Sequence, residues 1–360
     1  MVTIAHVPAA VDAVLAEYFD ANRPTLDAIY PAVAEAGDVL ADFVLGGGKR
    51  VRPTFVFAGW QCGAPTADAA DETLALRVGA AIELIQACAL IHDDILDRSD
   101  TRRGRPTAHR RFETVHVERA FVGDPAHFGV SAAILLGDLA LAWADDLVHG
   151  IAPGRWTDPR PLPRPVGELW ARMRTEVLGG QLLDITNESA ADESITAAYR
   201  VMEYKTAAYT VARPLQFGAA LAGADDALSE SLHRIGIDLG IAFQLRDDVL
   251  GVFGDPAETG KPSGDDLVEG KRTALLAEGL QRASGPDAEL LRANIGRPLS
   301  DDDVAAARSV LTDSGALAAV EQQIEDRLDA ALDGIDRLPV PASARDDLTW
   351  IARRITHRQR

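Results

Sequence analysis

The chain has 360 residues, with 36 Lys and Arg against 55 Asp and Glu, a formal charge of −19, and 47% hydrophobic residues. That apolar share supports a large core and excludes a disordered tail protein. The acidity argues against nucleic acid as a partner, because binding to a phosphate backbone draws on basic patches.

The first residues (MVTIAHVPAAVDAVLAEYFD) lack a basic region followed by an apolar core, so no signal peptide is expected. Next comes Gly46-Gly47-Gly48-Lys49-Arg50-Val51-Arg52-Pro53, a flexible turn with three basic residues in four positions. It lacks the spacing of a phosphate-binding Walker loop. Residues 67–97 show apolar positions at three- and four-residue spacing and predict one helix of about 30 residues, ~45 Å long. The stretch 110–129 mixes charge, aromatics and glycine without a period and reads as a loop. Residues 151–166, with five prolines, read as another. Helical periodicity returns in 166–188, 195–222, 228–253, 301–314 and 316–337. The apolar runs near 78–91 and 130–144 are broken by Glu83, Gln86 and Asp138, so no membrane span is expected and the chain reads as cytoplasmic. Runs of alternating β-branched residues are missing, so a sheet is not expected. Cys62 and Cys88 are too few for a disulfide framework or a zinc site alone. The prediction is one all-α domain, 1–360.

Two acid clusters punctuate the most apolar helices. Asp93, Asp94 and Asp97 (DDILD, 93–97) end the first; Asp93 and Asp97, four apart, share a helix face. Paired carboxylates of this kind bridge hard cations such as Mg2+. Asp247 and Asp248 form the second cluster, whose next acid in sequence is Asp255, because position 251 is Gly. Acids on two long helices can face each other across a cavity, as helix-bundle metal sites do. In so acidic a chain, cations beside glycine turns stand out: the 46–53 segment, Arg102, Arg103 and Arg105, then Lys205-Thr206, and the 260–266 loop leading to Lys271.

In order, GGGKRVRP (46–53), ELIQACALIHDDILDRSDTRRGRPTAH (83–109), LLGDLAL (135–141), GGQLLDI (179–185), KTAAYT (205–210) and FQLRDDVLGVFGDPAETGKPSGDDLVEGKRTAL (243–275) resemble a trans-isoprenyl diphosphate synthase of the polyprenyl synthetase family. The resemblance implies an all-helical bundle around a deep cavity, usually a homodimer. It also implies Mg2+-dependent, head-to-tail condensation of isopentenyl diphosphate with an allylic diphosphate. On that pattern Asp93, Asp94, Asp97, Asp247 and Asp248 hold Mg2+, three ions per site. Arg102, Lys205, Thr206, Gln244, Lys261 and Lys271 bind the allylic diphosphate; Lys49, Arg50, Arg52, Gln86 and Arg103 bind isopentenyl diphosphate.

Two positions depart from the family pattern. Gly251 replaces the third aspartate of the second motif, and Gln86 stands where many members carry His. Product length in the family is limited just upstream of the first motif, and here Cys88 and Ala89 are small, with Leu84 and Ile85 a turn deeper. That suggests growth to geranylgeranyl diphosphate, with farnesyl or longer products as alternatives. A terpene cyclase is disfavoured because its second motif is missing. A non-catalytic partner subunit is disfavoured because the first motif is intact.

Overall fold

A computed structural model describes residues 2–63, 69–152, 160–254 and 264–356, with only the backbone for 69–71. Lys261 and Asp255, singled out above, lie outside the described residues. By its contacts the chain divides into two compact units, one of residues 1–167 and 217–223, the other of 168–216 and 224–360.

The first unit holds α1 (Val7–Ile29), α2 (Pro31–Leu45), α3 (Val51–Cys62), α4 (Ala69–Leu96), α5 (Ala108–Glu118) and α6 (Pro125–Val148). Pro31 and Pro125 open α2 and α6 at positions where a missing N–H costs nothing. Asp124 caps α6 by accepting from Ala126 N at 3.0 Å. The core is large and apolar: Leu15, Leu40, Phe55, Trp60, Ile82, Leu84 and Ile91 are fully buried. α4 pairs with α6, and Gly137 of α6 makes the approach possible. A Cβ there would sit 2.5 Å from His92 Cδ2.

One expectation needs correction in this unit. The 110–129 stretch is mostly helix, α5 and the start of α6. Its period was masked because the buried face is built from His109, Phe112 and His116 rather than from aliphatics. His116 packs with Phe121 and Phe128 and lies 3.3 Å from Val122 O. A minimal ribbon also exists: β1 (Thr101–Arg102) pairs antiparallel with β2 (Arg105–Pro106). Both turn residues, Arg103 and Gly104, have positive φ, the two-residue hairpin geometry that matches strand twist.

In the second unit α7 (Arg164–Ala190) and α8 (Ile195–Val201) lead into a π-helical stretch, Met202–Ala212, that continues as α9 (Arg213–Leu221), whose last residues join the first unit. The unit continues with α10 (Asp226–Phe253), α11 (Asp265–Glu269), α12 (Ala274–Arg282), α13 (Gly285–Ala293), α14 (Asp301–Asp313), α15 (Ala316–Asp336) and α16 (Ala342–Thr356). Ser194, Asp225 and Thr273 cap α8, α10 and α12, and Ser300 with Asp303 forms a capping box on α14. The π stretch lies against α10 at Gly236 and Gly240, where a Cβ would come 2.8 Å from Ala212 Cβ and 2.6 Å from Ala207 Cβ. Leu245, Leu275, Leu291, Leu311, Val320 and Ile324 form the centre of this unit's core.

The predicted helices at 67–97, 166–188, 195–222, 228–253, 301–314 and 316–337 are all present within a few residues. Two of the described helices, Glu72–Leu96 and Pro125–Val148, also pass a length-and-apolarity criterion for crossing a membrane. The apolar window of the first is 78% buried inside the protein, that of the second 33%.

Candidate active site

In the first unit the acids and cations converge around the end of α4. Asp93 and Asp94 lie in its last turn, and Asp97 follows just past Leu96. Asp94 is 1% exposed. Arg102, presented by the ribbon, donates from Nε to Asp94 Oδ1 at 2.7 Å and also reaches Asp93 Oδ2 at 3.8 Å. Thr107 ties the ribbon back: its N–H donates to Asp100 O at 3.1 Å and its hydroxyl to Ser99 O at 3.0 Å. Burial pushes the Asp94 carboxyl up, with the Arg102 hydrogen bond opposing.

Asp94 Oδ2 is buried and has no hydrogen-bond partner. A buried, partnerless carboxylate oxygen beside Asp93 and Asp97 suits a hard, oxygen-seeking cation. Among the described residues no three His, Cys, Asp or Glu side chains gather closely enough to cage a metal unaided. A bound ion would therefore need oxygens from water or a phosphate as well.

The glycine turn shapes the neighbouring cation cluster. Gly47 has φ +117°, open to glycine alone without strain. A Cβ on Gly48 would lie 3.3 Å from Arg50 Nη1 and 3.8 Å from Arg103 Nη2. Arg103 donates to the Gly47 carbonyl. Desolvation, then the positive charges of Arg102 and Arg50, pull the Arg103 guanidinium down, so an anion arriving there would be welcomed. Lys49 is exposed, while Arg52 and Gln86 are half-buried.

Arg50 is engaged by the protein itself. Its side chain is buried and donates to Glu83 Oε2 at 2.7 Å, Asp12 Oδ1 at 2.8 Å and Val44 O. It also caps α3 from a left-handed backbone, φ +47°, which costs a residue with a Cβ roughly 1–2 kcal/mol. Those contacts tie the glycine turn to α1, α2 and α4.

Upstream of the acids, Cys88 and Ala89 lie on different faces. Cys88 is buried with its Sγ 3.7 Å from His92 Nδ1, and His92 Nε2 lies 3.1 Å from Ile134 O on α6. Burial pushes the Cys88 thiol up to about 12. Ala89, one turn before Asp93, is half-buried; Leu84 and Ile85 are buried.

In the second unit the π stretch carries Lys205 and Thr206. Such stretches recur at functional sites because they re-aim side chains. Gly180 on α7 permits the close approach: a Cβ there would lie 2.8 Å from Lys205 Cα. Lys205 Nζ pairs with Asp184 Oδ2 at 2.6 Å. Thr206 Oγ1 donates to Gln244 Oε1 at 2.8 Å, Gln244 Nε2 donates to Asp248 Oδ1 at 2.9 Å, and Ala274 N donates to Asp248 Oδ2 at 3.1 Å. Asp248 is thus buried with both oxygens occupied, and burial pushes its carboxyl up to about 8 against the Gln244 hydrogen bond.

Asp247, half-buried, is left as the acid of that pair whose side chain is less enclosed. Arg246 is not its counter-ion. Arg246 makes a bidentate pair with Glu321 at 2.7 Å and donates to Thr356 O at 3.3 Å. Lys271 pairs with Glu269 at 2.6 Å.

Sequence reasoning missed Glu83 and Asp184 as partners. Glu83 carried a signal, since a carboxylate inside the most apolar helix demands a buried cation.

The sequence model of the polyprenyl synthetase family matches residues 34–311. A crystal structure of geranylgeranyl pyrophosphate synthase from Corynebacterium glutamicum, complexed with isoprenyl diphosphate and magnesium, is similar with TM-score 0.91 and 44% identity. The match covers 99% of this chain and all of that one. Geranylfarnesyl diphosphate synthase of Aeropyrum pernix is 33% identical over 316 residues, 87% of this chain and 91% of that protein. Nonaprenyl diphosphate synthase of Mycobacterium tuberculosis is 34% identical over 282 residues, 77% of this chain and 74% of that protein.

Proposed function

The chain belongs to the polyprenyl synthetase family of trans-prenyltransferases, and from that premise we propose that it condenses isopentenyl diphosphate 1'-4, head to tail, with allylic diphosphates to give geranylgeranyl diphosphate. The observation that carries the chemistry is the buried, partnerless Oδ2 of Asp94 beside the Arg102 clamp.

Asp93, Asp94, Asp97, Asp247 and Asp248 are the residues that would hold Mg2+, three ions in this reading. Bound there, Mg2+ would neutralise charge building on the departing diphosphate. Arg102, Lys205 steadied by Asp184, and Thr206 held by Gln244 would orient the allylic diphosphate from fixed donors. Lys271 and Lys261 would add charge to it. Arg103, Lys49, Arg52 and Gln86 would hold isopentenyl diphosphate, with Arg50 keeping the glycine turn in place. Breaking the allylic C–O bond leaves a carbocation, which needs apolar walls that exclude water. The isopentenyl alkene attacks it, and the proton lost goes to the released diphosphate. The contact of His92 Nε2 with the Ile134 carbonyl at 3.1 Å supports a packing role for His92 in this reading.

Product length rests on the small Ala89 one turn upstream of Asp93. The relatives differ here: they bear the names of synthases for geranylgeranyl, geranylfarnesyl, nonaprenyl and farnesyl products. A cytoplasmic homodimer completes the proposal. Ile134 and Leu135 on α6, 43% and 69% exposed, suit an apolar partner face. Replacing Asp93 with Ala tests the metal assignment. Turnover should vanish with helical content unchanged, and undiminished turnover would refute it.

A further inference from the structure

Two hydrogen-bond rungs of like composition join the same helical elements in the second unit. The first runs from the Thr206 hydroxyl through the Gln244 amide to Asp248, which the Ala274 N–H of α12 also holds. In the second, the Tyr199 hydroxyl of α8 donates to Gln323 Oε1, and Gln323 Nε2 donates to Glu278 Oε1 at 3.0 Å. Tyr199 precedes Thr206 on the run from α8 into the π stretch, and Glu278 stands one turn after Ala274 on α12. The two rungs therefore close a ring through α8 and its π continuation, α10, α12 and α15.

The second rung has one workable orientation. Glu278 is 6% exposed, and its other oxygen accepts from Arg282 Nε at 2.7 Å. A carboxylate paired in this way only accepts, so Gln323 must present its nitrogen to Glu278 and its oxygen to Tyr199. Turning the amide round would break both bonds. The backbone behind Gln323 is fixed, because Glu321 on the same helix makes the bidentate pair with Arg246 of α10. The Tyr199 ring packs against the core that includes Leu276, Val320 and Ile324, so removing its hydroxyl alone leaves that packing in place.

We propose that Gln323, with Tyr199 and Glu278, is a positioning residue of the allylic-diphosphate site. By fixing α8 against α12 it sets the height of the π stretch, and so the aim of Lys205 and Thr206 relative to Asp248. The three residues themselves touch no substrate. The inference rests on the reading of Lys205, Thr206 and Asp248 given above.

The variants Tyr199→Phe, Gln323→Met and Glu278→Gln of the full-length protein test it. The readouts are calorimetric binding of an unreactive allylic thiolodiphosphate with Mg2+, and steady-state kinetics. Tyr199→Phe and Gln323→Met should each weaken analogue binding and raise the allylic KM roughly 10-fold, with KM for isopentenyl diphosphate unchanged. Combining the two should cost no more than Gln323→Met alone, since they act through one rung. Glu278→Gln keeps an acceptor for Gln323 and should retain wild-type values. Folded Tyr199→Phe and Gln323→Met variants with unchanged analogue binding, or with both KM values raised alike, overturn this inference alone. A wild-type chain that neither binds the analogue nor forms prenyl product overturns the reading of the site and this inference with it. Should Gln323→Met fail to fold, Tyr199→Phe decides on the same two readouts.

Discussion

Removing the Glu83 carboxylate is the perturbation that most sharply separates anchoring from substrate binding in the glycine turn. Glu83 is 7% exposed and its partner Arg50 5%, with the pair at 2.7 Å. Glu83→Ala would leave a buried guanidinium with only the half-exposed Asp12 and the Val44 carbonyl. Breaking a buried pair costs about 3–5 kcal/mol, and the surviving Asp12 contact places this case near the lower figure. Burial alone would lower the Arg50 pKa, but Glu83 and then Asp12 outweigh it and hold the guanidinium up. The assay is urea unfolding followed by far-ultraviolet circular dichroism, together with steady-state kinetics. The account expects a loss of about 3 kcal/mol and a rise in KM for isopentenyl diphosphate that exceeds any fall in kcat. The double variant Arg50→Met, Glu83→Leu should regain stability, because apolar replacements of buried pairs are well tolerated. Its KM should stay high, since the turn has lost its anchor. A stability loss below about 0.5 kcal/mol would match a surface pair and refute the reasoning.

Other outcomes follow from the same geometry. Ala89→Phe should shorten the product. Cys88→Phe should instead destabilise the α4–α6 contact by about 1–3 kcal/mol, because Cys88 and His92 already fill the space that Gly137 opens; sizing products and measuring Tm for both variants checks this. The Cys88 thiol, pushed to about 12, should resist alkylation at pH 8 in the folded protein and react once the chain is unfolded. Asp303, brought down from 3.8 to about 2 by the Ser300 backbone N–H and then Arg297, stabilises the fold at pH values above 3.8. That contribution fades as pH falls through about 2, and a nuclear magnetic resonance titration showing an ordinary carboxyl there would contradict it.

The long helices were legible because their apolar spacing is regular, and the order of acids and cations along them pointed to diphosphate chemistry. The rest was hidden for physical reasons. Lys49, Arg50 and Arg52 look alike in sequence, and only the structure shows that Arg50 is buried between Glu83 and Asp12. The α5 helix was masked because its inner face uses His109, Phe112 and His116. The π stretch under Lys205 has no pattern of its own; it depends on Gly180, Gly236 and Gly240 lying far away in sequence. Asp184 belongs to the GGQLLDI stretch, but its pairing with Lys205 is tertiary.

The central claim is tested most directly by incubating the purified chain with Mg2+, labelled isopentenyl diphosphate and, separately, dimethylallyl, geranyl and farnesyl diphosphates. The products are then dephosphorylated and sized by chromatography. The account predicts geranylgeraniol from each starter, dependent on Mg2+. No prenyl product from any of the starters would contradict it.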